Sequence, residues 1–493
     1  MTQPTDLLAD IAAFCGRHGL AESTFGRLAV NDGKFVPRLR AGGRVRHQTL
    51  VRVQAFLALT PVQTLRSVAP GRVPLTLRRL AGGSGSSSPS SPSASSAVTF
   101  EPIAAGMTGL GLTSTPEGAS GTGNFRFYDN RQKYLLFVNT CSEKSVIARR
   151  VGLELAHLRP RPPAIRLFDA GVGDGTVLAR VMREMHRRFA TLPFYIVGKE
   201  ISLEDVRLTL EKMPDRFFEH PASVLVLTNL SYAEAPWLLP RSPADASSMV
   251  WHEVALKGTT AHEFEQQITD LDPFLTRNWT VRASPITGNP LHERPVVLVI
   301  YRDDYRFLLD DTIARRGAVR ADYDLVMASQ PYRLRVPLSF KADRVLAPLA
   351  RSLGPGGRLL GIHARGADPG LDLVQRIWPG ENPYTSDRHD LLKALKTSLG
   401  TAAQHFNFNA YADERSIFRY DMHTLPTEIG NSIGTSTLFA AWNAAVYVAQ
   451  IEDQRLNEVL AGGRYLEVTR EVLREYGGLW FQDESYVVSR PRA

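Results

Sequence analysis

The chain has 493 residues and a net charge of +8, from 58 Lys and Arg against 50 Asp and Glu. This length predicts two or three domains rather than one core. With two distant cysteines, Cys15 and Cys141, a disulfide framework is not expected. We find no signal-peptide pattern and no apolar run near the roughly 20 residues that cross a bilayer, so a cytoplasmic protein without membrane contact is expected.

The net positive charge is confined to residues 1–80. This segment holds 12 basic and 4 acidic side chains, and the other residues hold 46 of each. A basic segment attached to a neutral body suggests contact with a polyanion through that segment. The alternative is a charged surface that is only solvated.

Apolar spacing predicts four short helices in this segment, at about 7–18, 23–30, 34–40 and 48–59. The stretch from Ser23 through Arg44 resembles the helix-turn-helix core of repressor-type bacterial regulators. That resemblance implies a third helix in the major groove of DNA. The alternative is a small helical bundle whose arginines contact protein. The predicted DNA-binding residues are Lys34, Arg38, Arg40, Arg44 and Arg46.

Residues 81–99 separate this segment from the rest. Nine of the 18 residues from Ala81 to Val98 are serine, and none is charged or aromatic. Such a composition buries too little surface to offset its ordering entropy, so a flexible linker is predicted. The predicted domains are therefore a basic domain at 1–80 and a larger domain at 100–493.

A glycine-rich loop follows a short apolar strand in the larger domain. The strand, 165–169, ends at Asp169, and glycines follow at Gly171, Gly173 and Gly175 before a helix from about Thr176. Glycine allows a tight turn and close approach of a ligand to the backbone. A second apolar strand then ends at Glu200, where a carboxylate suits ribose hydroxyls.

This spacing, an acid two residues before G-x-G-x-G, resembles motif I of class I S-adenosylmethionine-dependent methyltransferases. The resemblance covers roughly residues 125–493 and implies S-adenosylmethionine as the cofactor. By the resemblance, Asp169 and the three glycines line the cofactor loop and Glu200 holds the ribose. It also implies that Asn229 and the backbone N–H of Leu230 meet the adenine. The alternative is an ordinary Rossmann turn that binds another nucleotide, or a degenerate site.

The segment before the first strand carries a second, less specific likeness. The face running from Phe125 to Lys144, which includes Glu143, resembles the segment that covers the cofactor in many methyltransferases. Ordinary core packing of its aromatic residues is the alternative.

The predicted fold is α/β: a Rossmann-like seven-stranded methyltransferase sheet with helices on both faces, preceded by a small all-α helix-turn-helix domain. After the two strands above, strands are expected at 224–228, 323–332, 353–363, 416–423 and 479–490. Residues 233–320 form an insertion, much longer than the usual connection between strands. It is expected to form a substrate lid or subdomain, with a decorated loop or an oligomer contact as alternatives.

Ser329-Gln-Pro-Tyr332 follows the fourth strand and approximates the motif of amino-group methyltransferases. In that family the polar residue and the proline carbonyl accept from the substrate amino group, and the aromatic ring stacks on the planar substrate. The likeness implies substrate contacts at Ser329, Pro331 and Tyr332, although glutamine replaces the usual second residue. No metal-ligand spacing appears, so no metal is expected, and no catalytic base is predicted.

The sequence therefore predicts a methyltransferase acting on a small molecule or protein, with a DNA-binding arm at residues 1–80. Two alternatives remain open at this point. One is a nucleic-acid amino-group methyltransferase, against which the neutral charge of residues 81–493 counts. The other is a DNA-binding transcriptional regulator whose methyltransferase fold only senses the cofactor.

Overall fold

The computed structural model describes residues 4–18, 21–30, 32–41, 49, 53, 57, 131–284, 290–423, 433–460 and 462–492. They belong to two compact units, treated separately below. The predicted linker at 81–99 lies outside the described residues, as do Arg44 and Arg46. Among the described residues, no helix is both long and apolar enough to span a membrane.

Three helices of the first unit are described: α1 (Pro4–His18), α2 (Glu22–Val30) and α3 (Phe35–Arg40). Their apolar faces share a buried core in which the rings of Phe14 and Phe25 meet edge to face, 5.7 Å between centroids. The turn between α2 and α3 is tight, because a Cβ on Gly26 would lie 2.4 Å from the carbonyl oxygen of Asp32. The assignment as a helix-turn-helix stays a prediction.

The second unit alternates strands with helices. Its strands are β1 (Ile165–Asp169), β2 (Phe194–Lys199), β3 (Ser223–Thr228), β4 (Val250–Leu256), β5 (Val281–Ala283), β6 (Pro290–His292), β7 (Val296–Arg302), β8 (Tyr323–Ser329), β9 (Leu353–Ala364), β10 (Asn407–Asn409), β11 (Ile417–Asp421) and β12 (Trp480–Ser489).

Its helices cover both faces of the main sheet, and a π-helical stretch, Lys341–Leu346, joins α12 to α13. The helices are α4 (Arg131–Thr140), α5 (Glu143–Leu155), α6 (Thr176–Arg188), α7 (Leu203–Leu210), α8 (Met213–Glu219), α9 (Pro243–Ser248), α10 (Ala261–Thr269), α11 (Asp272–Asn278), α12 (Leu338–Phe340), α13 (Ala347–Arg351), α14 (Pro369–Ile377), α15 (Arg388–Leu399), α16 (Asp413–Ser416), α17 (Thr435–Val448), α18 (Asp453–Leu460) and α19 (Arg464–Tyr476). Short 3-10 turns are Ala235–Trp237, Asp303–Tyr305 and Gly400–His405.

The main sheet has ten strands in the described residues, so the predicted count of seven is wrong. Its order is β10-β12-β9-β8-β1-β2-β3-β7-β4, with β11 also paired to β12. The strands β3, β2, β1, β8 and β9 run parallel, and β12 is antiparallel to β9. The chain leaves β1 toward β2 on one side and returns to β8 on the other. The carboxyl ends of β1 and β8 therefore border a topological switch point, where open α/β sheets bind ligands.

Two of the extra strands come from the predicted insertion at 233–320. β7 pairs antiparallel with β3, and β4 pairs parallel with β7. Every residue of β7 is buried, so the insertion is in part a continuation of the sheet rather than a loop. The remaining part includes α10, α11 and the separate β5–β6 ribbon.

Alternate side chains of the central strands enter two different cores. Leu167, Ile196 and Met327 pack beneath α5 and α6, whereas Phe168 and Val197 face the other side of the sheet. Burial on both faces is typical of parallel sheets and explains the continuous apolar runs in the sequence. This packing holds the carboxyl ends of the strands in fixed positions.

Candidate cofactor cleft

A cleft opens at the switch point between β1 and β8. Its space, including the part open to solvent, is about 460 Å³. Its lining combines an apolar wall with a few polar groups, as ligand sites do. The lining residues are Glu143, Lys144, Ile147, Val151, Asp169, Gly171, Val172, Val177, Met327, Ala328, Ser329, Gln330, Leu360 and Ile362.

The glycine loop forms one side of the cleft, and two of its glycines have left-handed backbone angles. The φ angles are +56° at Gly173 and +75° at Gly175. A Cβ on Gly175 would lie 2.7 Å from the Cα of Thr209 in α7, so no other residue fits without displacement of the backbone. A Cβ on Gly171 would meet no atom within 4 Å. The loop is therefore packed tightly at its helix end and is open where it faces the cleft.

Glu200, directly after β2, ties the loop to the neighbouring strand. Its Oε2 accepts from the backbone N–H of Gly173 at 2.9 Å. Its Oε1 accepts from the N–H groups of Ile201 at 2.7 Å and Ser202 at 2.9 Å. These three bonds use three of the roughly four acceptor positions of a carboxylate.

Asp169 is buried at the end of β1, where its Oδ1 accepts from the N–H of Gly171 at 3.2 Å. Burial, and to a smaller degree the charge of Glu200, raises the pKa of Asp169 to about 7. The Gly171 bond and the charge of Lys144 act in the opposite direction. A carboxyl with this pKa gains or loses its proton near neutral pH.

The first turn of α5 contributes Glu143 and Lys144 to the cleft, as the weaker likeness predicted for this segment. Burial lowers the pKa of the Lys144 ammonium, but the surrounding Tyr134, Glu143 and Asp174 side chains outweigh burial and raise it. Lys144 is therefore a cation at neutral pH beside the glycine loop. Asp174 was not predicted as a site residue, although it is the only charged residue within the glycine loop.

Asn229 and Leu230 were predicted to meet adenine, but the structure uses their polar groups elsewhere. The Asn229 side chain donates to the carbonyl of Arg294 at 2.9 Å and accepts from the N–H of Val296 at 2.8 Å. The N–H of Leu230 donates to the Thr228 hydroxyl at 3.3 Å. These bonds hold the start of β7 against β3. Each bond uses only part of the donor and acceptor capacity of Asn229, whereas the single N–H of Leu230 is already engaged. Adenine contact by Asn229 and Leu230 stays a prediction.

Of the predicted substrate residues after β8, only Ser329 lines the cleft. The Pro331 carbonyl accepts from the Tyr232 hydroxyl at 2.7 Å. Tyr332 is buried in the core, 3.4 Å from the Tyr486 hydroxyl. Substrate contacts of Pro331 and Tyr332 stay predictions, against which the engaged Pro331 carbonyl and the burial of Tyr332 count. Gln330 itself lines the cleft.

Three predicted DNA-binding residues, Lys34, Arg38 and Arg40, are described in the first unit. All three are exposed. Arg38 forms an ion pair with Asp32 at 2.5 Å, and Arg40 forms one with Glu22 at 2.6 Å. In neither unit do the described residues bring three His, Cys, Asp or Glu side chains together as a metal site.

No protein-family model matches the chain, and no curated protein matches it. Its structure is similar to geranyl diphosphate C-methyltransferase from Streptomyces coelicolor A3(2), at 14% identity and a TM-score of 0.26 over 70% of this chain and 79% of that one. It is similar to a putative sarcosine dimethylglycine methyltransferase from Galdieria sulphuraria, at 9% identity and a TM-score of 0.29 over 71% and 85%. It is also similar to the rRNA methyltransferase aviRa from Streptomyces viridochromogenes, at 14% identity and a TM-score of 0.16 over 50% and 76%. These likenesses are too weak to carry an argument, so the chemistry of the cleft must be inferred from its own residues.

Proposed function

We propose that the chain is an S-adenosylmethionine-dependent methyltransferase. The observation that carries the proposal is the bond from the Gly173 N–H to Glu200, which joins the glycine loop after β1 to the acid after β2 at the switch point. A nucleoside placed against this loop meets open backbone at Gly171 and a carboxylate beyond it.

Two residues of the cleft, together with Glu200 beside the glycine loop, fit the three polar parts of this cofactor. Glu200 retains one acceptor position for ribose hydroxyls. The Lys144 ammonium suits the carboxylate of the methionine portion. Asp169, beside Gly171, is a carboxyl that suits the amino group of the same portion.

When bound, the cofactor supplies a methyl group that a nucleophile's lone pair takes up while the electron pair of the carbon–sulfur bond stays on sulfur. The chain's own contribution is to align the acceptor and exclude water. The buried side chains of Ile147, Val151, Leu360 and Ile362 form an apolar wall for this purpose. The acceptor then enters near Ser329, at the end of β8.

Calorimetric titration of S-adenosylmethionine into the full chain tests this proposal. We expect micromolar binding that Asp169→Ala weakens at least tenfold. Asp324→Ala is the matched control, because Asp324 is a buried carboxyl at the other end of β8 that accepts from the Arg166 N–H. Circular dichroism verifies that each variant is folded. Absence of binding by the folded wild-type chain would refute the proposal.

The acceptor is proposed to be a small molecule or a protein rather than nucleic acid, because residues 81–493 have no net charge. Transfer of the methyl group from S-adenosylmethionine to duplex DNA or to RNA would indicate a nucleic-acid substrate instead. A cofactor-sensing regulator would bind S-adenosylmethionine and show no turnover with any acceptor tested.

We also propose that residues 1–80 bind DNA, supported by the exposed Arg38 and Arg40 of α3. The test measures fluorescence anisotropy of a labelled duplex with the full chain over a salt series. Each lost phosphate contact should lower the slope of log K against log salt by about 0.9. The double variant Arg38→Ala and Arg40→Ala should therefore lower it by about 2, whereas Arg187→Ala, in the second unit, should not. Unchanged affinity and slope would refute this arm of the proposal.

A further inference from the structure

A group of four buried carboxyls includes Asp483, which binds the cleft residue Gln330, and three carboxyls whose charges act on it; the cofactor roles above use none of the four. Two are already satisfied. Glu484 is paired with His363 and Arg388, at 2.8 and 2.9 Å. Asp368 accepts from the N–H groups of Leu371 and Gln482, each at 2.9 Å. The other two are Glu143 and Asp483.

Asp483, in the middle of β12, is completely buried. Its Oδ1 accepts from the Gln330 side chain at 3.3 Å. Its Oδ2 has no hydrogen-bond partner among the residues that the structure describes. A buried carboxyl oxygen without a partner is costly, and its presence beside a cleft indicates a missing partner.

Glu143 lies on the cleft wall, and its one ion-pair partner in the described chain is Lys144, at the limiting distance of 4.0 Å. Burial raises the pKa of both Glu143 and Asp483. The charge of Glu143 raises the pKa of Asp483 further, and it does so more strongly than any other nearby charge. Lys144 offsets the charge of Glu143, whereas Asp483 forms no ion pair among the described residues, so Asp483 ionises only with a cation beside it. Gln330 lines the cleft together with Glu143 and also donates to Asp483.

Aromatic residues lie near the same carboxyl, because Phe481 is two residues before it on β12 and Tyr420 pairs with Phe481 across the strands. Tyr420 is buried and Tyr384 is half-buried, and burial is the main reason that the pKa of each is raised. The charge of Asp483 raises the pKa of both tyrosines further. Tyr420 also stacks on Phe481, at 5.3 Å between ring centroids. A carboxyl in such surroundings suits the ammonium group of an organic amine, because the charge forms the ion pair and the apolar part of the amine suits the aromatic residues.

We propose that Glu143, Asp483 and Gln330 form a subsite for the protonated amino group of the methyl acceptor, which is therefore an amine. This inference rests on the proposed methyltransferase function and specifies its substrate class. The ammonium group supplies the partner that Asp483 Oδ2 lacks and permits Asp483 to ionise.

The same pair accounts for the proton that amine methylation releases. An ammonium nitrogen has no free lone pair, so it must lose one proton before it can form a bond to carbon. A carboxylate of the pair, Glu143 or Asp483, takes that proton. The nitrogen then uses the freed lone pair for the new N–C bond, and the product leaves as a methylated ammonium ion.

Binding of a probe pair to the full chain tests the subsite without relying on turnover. Benzylammonium chloride carries the charge and the ring, and benzyl alcohol is its neutral counterpart of similar size. By calorimetry at pH 7.5 we expect benzylammonium to bind at least tenfold more tightly. Asp483→Asn keeps the acceptor for Gln330 and removes the charge, and should abolish the preference. Asp324→Asn, the control at the far end of β8, should keep it.

The outcomes separate this inference from the proposed function. Equal binding of the two probes, or an unchanged preference in Asp483→Asn, would overturn the amine subsite even if S-adenosylmethionine binds. Failure of the wild-type chain to bind S-adenosylmethionine would overturn the methyltransferase function, and with it the role of the subsite in acceptor binding. A buffer-dependent calorimetric enthalpy in wild type that disappears in Asp483→Asn would further support proton exchange at the pair.

Discussion

Substitution of Glu200 by glutamine should release the glycine loop. The amide has one acceptor oxygen, so its NH₂ must face either the Gly173 N–H or those of Ile201 and Ser202. The orientation that loses only one bond places the NH₂ against Gly173. A hydrogen bond to a charged group contributes about 1.5–3 kcal/mol, so the free energy that holds the glycine loop in its ordered conformation should fall by that amount. Affinity for S-adenosylmethionine should consequently decrease about tenfold or more.

Two measurements follow the consequences of Glu200→Gln. Amide hydrogen exchange of a peptide covering residues 169–176 should accelerate in the variant, and calorimetry should show the weaker cofactor binding. Glu204→Gln is the control, because Glu204 is half-exposed on α7 and pairs with Arg207 at the surface. If loop exchange and cofactor affinity in Glu200→Gln stay within twofold of wild type, the assigned role of Glu200 is wrong.

Two further predictions concern packing and pH. Gly175→Ala should lower the midpoint of thermal unfolding by several degrees, because its Cβ would meet Thr209 in a strained left-handed conformation. Gly171→Ala, which has open space at its Cβ, should leave the midpoint unchanged. Equal midpoints in the two variants would contradict the described packing of Gly175. Burial lowers the pKa of His220 to about 4, and the nearby charge of His186 also lowers it. The unfolded chain therefore binds the proton first, so stability from His220 should decline as the pH falls from about 6.5 to 4. The midpoint of thermal unfolding, measured from pH 7.5 to 4.5, should decline less in His220→Gln than in wild type. Identical pH profiles of the two proteins would show that His220 does not cause the decline.

The central strands and the glycine loop were predictable because their physical signals are local. The strand predicted at 165–169 coincides with β1, and that predicted at 194–200 ends one residue earlier, at Lys199. Continuous apolar runs mark strands buried on both faces, and closely spaced glycines mark a turn that no other residue fits. The carboxyl ends of such strands meet at the switch point, so the cleft was predictable as well.

The features that the sequence did not reveal depend on long-range packing. The apolar run of β7 was visible, but nothing in its sequence indicates that it pairs antiparallel with β3 and engages Asn229. The left-handed turn at Gln330, which precedes the buried Tyr332, has no glycine to mark it. Asp483 had a detectable signal, since adjacent acids within an apolar strand are unusual.

The strands added beyond β3 also determine which edge of the sheet meets water. β3 is buried along its whole length, and an unpaired edge of that composition would be a template for intermolecular β-pairing. The insertion places β4 there instead, with partly exposed His252 and Glu253 along an edge less suited to self-association. Truncations that remove the insertion to shorten the chain should therefore yield an aggregating protein, however well the cleft itself is preserved.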